Sequence, residues 1–110
     1  MIKGTWQIIQ WCPNLSAREW FNIGVGFNDG KNQYFKYLDD FNKLEKLFDI
    51  DTKKHLIEVI AFTEVFFNKG LYDFSPQIKL LEIGFSRGES IEECLDRTYK
   101  TVVTLGAHTR

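Results

Sequence analysis

A chain of 110 residues holds one domain, here residues 1–110, and is too short for two ordinary ones. Its 44% hydrophobic and 15% aromatic content supports a packed core and excludes a disordered chain. Fourteen Lys and Arg against 15 Asp and Glu leave a net charge of −1, which excludes both the basic surplus of a nucleic-acid binder and the acidic surplus of a nucleic-acid mimic.

Residues 5–12 read as a first strand, with Trp6 and Ile8 on one face and Ile9 and Trp11 on the other. Apolar groups on both faces suit a central or doubly covered strand. Pro13 ends it, because proline cannot donate to a β ladder. Residues 19–28, Glu-Trp-Phe-Asn-Ile-Gly-Val-Gly-Phe-Asn, form the second strand. Strict alternation places Phe21, Ile23, Val25 and Phe27 on a core face and Asn22, Gly24, Gly26 and Asn28 on the other. Asp29-Gly30 between two β runs predicts a tight hairpin into a third strand, residues 33–38.

A short helix is expected from a cap at Asp39 or Asp40 to about Phe48, with Phe41, Leu44 and Phe48 on one face. A second helix is capped by Asp51 or Thr52 and runs to Lys69, where Gly70 suits a left-handed cap. It is apolar over more than half its girth, so it is expected to pack on the Phe21, Ile23, Val25, Phe27 face and against a neighbouring helix. Residues 78–85 read as a fourth strand with Leu81, Ile83 and Phe85 on one face. A turn over residues 86–89 leads to a last helix from Ser90 to about Leu105, with capping-box spacing at Ser90 and Glu93. The expected fold is α+β, an antiparallel sheet of about four strands in the order β-β-β-α-α-β-α with helices packed on it.

No assembled catalytic set emerges. His55 sits near the start of the long helix with no nucleophile elbow nearby, and reads as a surface or partly buried residue. Gly24-x-Gly26 lies within a strand and lacks the third glycine of a dinucleotide fingerprint. The carboxylates Asp39-Asp40, and Glu92 and Glu93 with Asp96, sit where helix starts favour negative charge, so no metal and no cofactor is expected. Cys12 and Cys94 match no zinc spacing and read as buried thiols. Lys31, Lys36, Lys43, Lys46, Lys53 and Lys54 accompany Tyr34, Phe35 and Tyr37, but six carboxylates share that window, so no nucleic acid is expected. The opening Met1-Ile2-Lys3-Gly4-Thr5 has no apolar signal region and no run approaches a membrane span, so a cytoplasmic protein is expected.

One stretch stands out as a candidate site. Arg18, Glu19 and Asn22 lead into backbone bared at Gly24 and Gly26, where a ligand or partner chain can come close. The competing reading is that the protein's own helix packs there, or that Asn22 bonds the preceding loop. Gln10-Trp11-Cys12-Pro13, Arg18-Glu19 and Asn22-Ile23-Gly24-Val25, together with Leu95-Asp96-Arg97-Thr98-Tyr99 and Val102-Val103, resemble the two ends of small bacterial proteins grouped as domain of unknown function 3037. That resemblance implies association with a kinase similar to the HipA toxins, and transfers no catalytic residue. The leading expectation is therefore a non-enzymatic protein-interaction or regulatory module that restrains or positions such a kinase in a toxin-antitoxin or defence context. Its binding residues would be Arg18, Glu19, Asn22, Gly24, Gly26 and Arg87. A small enzyme or ligand-binding domain using Arg18, Glu19 and Asn22 is the first alternative, and a nucleic-acid binder the second.

Overall fold

The computed structural model describes residues 1–39 and 49–103. Its elements are β1 (Ile2–Trp11), β2 (Phe21–Asn28), β3 (Gln33–Tyr37), α1 (Ile50–Asn68), β4 (Ile78–Gly88) and α2 (Ile91–Val102). The strands form one antiparallel sheet in the order β3-β2-β1-β4, so the fold is α+β and β1 is an inner strand, in keeping with its apolar groups on both faces. The expected short helix from Asp39 or Asp40 to Phe48 lies outside the described residues.

Local chemistry sets the connections. Gly30 takes a φ of +95° in the β2–β3 turn. The Asp29 carboxylate accepts the backbone N–H groups of Lys31 at 2.9 Å and Asn32 at 2.8 Å, and these bonds, Asn32's first, hold its carboxyl below the ordinary range. At the start of α1, Asp49 accepts the Thr52 N–H at 2.7 Å, two or three residues before the expected caps. At its end, Gly70 is left-handed at φ +77°; its N–H bonds Phe67 O at 3.0 Å while Leu71 N–H bonds Phe66 O at 2.9 Å. This is the paired closure that a glycine after a helix makes possible. Ser90 Oγ caps α2 by accepting the Glu93 N–H at 3.1 Å. β4 continues through Ser86, Arg87 and Gly88, where a turn is expected from the sequence, because all three residues pair with the start of β1.

Two β-bulges decide what faces what. β1 alternates without interruption, but Ile23 of β2 is extra in the β1–β2 ladder: Ile9 pairs Gly24 and Gln10 pairs Asn22. The expected face of Phe21, Ile23, Val25 and Phe27 is therefore split. Phe21 and Ile23 join Ile9, Trp11 and Leu38 under α1, which contributes Leu56, Ile60 and Phe67. Val25 and Phe27 pack instead with Trp6, Tyr34 and the α2 residues Cys94 and Leu95. The two helices thus cover opposite faces, and α1 lies on the side that carries the glycines. The second bulge makes Ile83 the extra residue of β4, so Leu81 pairs Ile8 and Phe85 pairs Thr5, on opposite faces. The expected single face of Leu81, Ile83 and Phe85 is split in the same way.

Rings fill the α1 core. Phe67 lies 5.0 Å from Phe35 and 5.2 Å from Tyr72, and Phe66 stacks on Phe74 at 4.7 Å. Cys12 and Cys94 are buried free thiols. No helix among the described residues is long and apolar enough to cross a membrane.

Candidate functional site

The residues singled out in the sequence do not converge. Arg18 and Glu19 stand exposed on the β1–β2 loop, Arg18 at a left-handed φ of 56°. Asn22 is engaged on both sides of its amide: Oδ1 accepts from Gln10 Nε2 and Nδ2 donates to Val102 O, each at 2.9 Å. The bulge puts Asn22 opposite Gln10, away from the face of Gly24 and Gly26, and there it ties the end of α2 to the sheet.

Gly24 and Gly26 are buried, and the space beside each is already taken. A Cβ on Gly24 would sit 2.8 Å from Lys36 O and 3.1 Å from Ile9 Cδ1. One on Gly26 would sit 2.6 Å from Gln7 Oε1 and 2.9 Å from Gln33 Nε2. Those two glutamines are hydrogen-bonded at 2.8 Å, reaching from β1 to β3 over the intervening glycine. The bare backbone expected to admit a partner is covered by the protein's own side chains. Arg87 sits at the far end of the sheet, paired with Lys3, while Asn22 neighbours Gln10 near the other end of β1.

The lysine–aromatic set is divided as well. Phe35 and Tyr37 pack in the α1 core, whereas Lys36 reaches α2, 3.5 Å from Asp96 and 4.9 Å from the Tyr99 ring centre. Glu93 pairs with Arg97 at 3.3 Å and its other oxygen accepts the Glu89 N–H at 3.3 Å, so the α2 carboxylates Asp96 and Glu93 serve ion pairs and the start of the helix.

What the sequence did not single out is the outer strand. β4 is an edge, with β1 on one side and no strand on the other among the described residues. It runs 11 residues and exposes Leu81, Ile83 and Phe85, the last at 89%. A long edge with exposed apolar side chains is a template for another strand. Alternating apolar residues in 78–85 look the same in a buried strand and in this one. Gly84, beside which a Cβ would meet nothing within 4 Å, was the available signal that this part of the sheet lacks cover.

Beside that edge lies a cleft of about 800 Å³, bounded by Lys3, Gly4 and Trp6 of β1, Phe85, Ser86 and Arg87 of β4, and Arg97, Thr98 and Thr101 of α2. Three of these residues are basic and none is acidic. Arg97 is fixed as a strut: Nη2 donates to Ser86 Oγ at 3.0 Å and to Arg87 O, and Nη1 to Glu93 Oε1 at 3.3 Å. A smaller cavity of about 170 Å³, between Trp11, Val59, Phe62, Phe66, Phe74 and Ile78, is an apolar seam between α1 and the sheet. Among the described residues, no group of three or more His, Cys, Asp and Glu is arranged to hold a metal ion. Compared with family models, curated proteins and solved structures, the chain matches none.

Proposed function

We propose that this chain is a non-enzymatic protein-interaction module that docks a partner protein along the outer edge of β4. The observation that carries the reading is that edge itself: an 11-residue strand at the sheet margin with Leu81, Ile83 and Phe85 in solvent. Burying such side chains on a partner returns about 25 cal/mol per Å² of apolar area, and the unpaired backbone offers hydrogen bonds beside it. The open cleft next to the edge suits a protein surface better than a small enclosed substrate. A catalytic role for Arg18, Glu19 and Asn22 has no such support, because Asn22 is spent on Gln10 and Val102 while the other two stand exposed. The resemblance in sequence supplies the partner to try first, a HipA-like kinase that the module would restrain or position.

The test is affinity capture from the native host with wild type and Phe85→Ser side by side. Phe85 is so exposed that its loss leaves the fold intact. The expected outcome is a protein retained by wild type and lost by Phe85→Ser at unchanged melting temperature. Equal capture by both proteins refutes docking at this edge.

A further inference from the structure

Resting on the reading of β4 as the docking edge, we propose that the partner contributes an extended segment that adds to the sheet as a fifth strand and carries acidic residues at the end that meets Arg87 and Lys3. Three observations lead there. The first is the backbone. With β1 on one side and no strand on the other among the described residues, the outer N–H and C=O groups of β4 are met in a regular way by another extended chain.

The second is the middle of the strand. Leu81, Ile83 and Phe85 are exposed, and apolar residues on an incoming strand would be their cross-strand neighbours. The third is charge. The cleft at the Arg87 end is lined, among the described residues, by Lys3, Arg87 and Arg97 and by no carboxylate, in a chain whose net charge is −1. Glu93 pairs with Arg97, which leaves Lys3 and Arg87 as the cations there with no ion pair among the described residues. Acidic residues placed there complement them and steer the encounter.

A second copy of this chain fits less well. Antiparallel pairing of β4 with itself brings the end holding Ile78 and Lys79 to the end holding Arg87, adding a cation where an anion is wanted.

The experiment selects strand-length peptides from a random displayed library on the intact protein. Enriched peptides are then measured by fluorescence anisotropy against wild type, Phe85→Ser and the double variant Lys3→Glu/Arg87→Glu. All three substituted residues are exposed, and each variant's melting curve confirms folding. Enriched peptides should carry a surplus of Asp and Glu toward one end. They should weaken about tenfold or more on the charge-reversed variant, and lose binding when their backbone is N-methylated at alternate positions. Several results overturn the inference: no enrichment, enrichment without an acidic surplus, or binding that survives N-methylation. So does light scattering showing a dimer that Phe85→Ser returns to monomer, because the edge would then be taken by a second copy. If the peptides fail while capture from the host stays sensitive to Phe85→Ser, docking at β4 stands and only the acidic strand falls. If capture too is insensitive, both fall.

Discussion

Replacing Gly24 with alanine probes whether the glycine side of β2 is filled from within. The added methyl would lie 2.8 Å from Lys36 O, 3.1 Å from Ile9 Cδ1 and 3.3 Å from Tyr37 Cα. Two of those atoms are backbone in the β2–β3 ladder, where Gly24 pairs with Tyr37, so they cannot swing aside as a side-chain tip would. Overpacking of this kind costs about 1–3 kcal/mol. Removing glycine's unfolded-state freedom returns about 0.5–1 kcal/mol. The net expectation is a loss of up to about 2.5 kcal/mol, or up to roughly 10–20 °C in Tm for a domain of this size. Gly84→Ala is the matched control, since its methyl meets nothing within 4 Å, and it should gain stability by up to about 1 kcal/mol. Urea unfolding followed by tryptophan fluorescence suits both variants, because Trp11 sits in one core and Trp6 against the other. Gly24→Ala as stable as Gly84→Ala would refute the filled-face argument.

Asn22→Ala removes both the bond to Gln10 and the bond to the Val102 carbonyl, and should cost about 1–3 kcal/mol in equilibrium unfolding; a cost within about 0.5 kcal/mol would mean that water replaces both. Tyr37→Phe should raise stability by about 1 kcal/mol, because the buried Tyr37 hydroxyl has no hydrogen-bond partner among the described residues. Burial, and then the nearby charge of Glu64, push the Tyr37 phenol above its ordinary value of 10.0. The folded state therefore holds that proton more tightly than the unfolded chain, and wild type loses stability as pH rises past about 10. Tyr37→Phe should lose less over the same range, and parallel pH profiles would contradict this.

The sequence is explicit wherever one residue decides the backbone. Asp29-Gly30 predicts the hairpin, Gly70 the end of α1, and Ser90 with Glu93 the start of α2, because each acts within a few residues of itself. The inner, doubly covered position of β1 was suggested by its apolar groups on both faces, a pattern that β4 shares in part at the edge. The faces of β2 and β4 were not. A bulge is set by the register against β1, so nothing local to Ile23 or Ile83 announces it, and one extra residue sends the remainder of a strand to the other face. That single effect separates Asn22 from Gly24 and dissolves the constellation built on strict alternation. The edge position of β4 is hidden for a related reason: strand order is a property of pairing, and the hydrophobic pattern of residues 78–85 is the same at the margin as at the centre.

Amide hydrogen exchange on β4, with and without the partner captured from the host, tests docking at the edge most directly. On binding, the outward N–H groups of Ile78–Gly88 should become protected while the exposed outer face of α1, with Ile57 and Val65, exchanges as before. Protection confined to α1 or to the loop bearing Arg18 and Glu19, with β4 unchanged, would contradict the account.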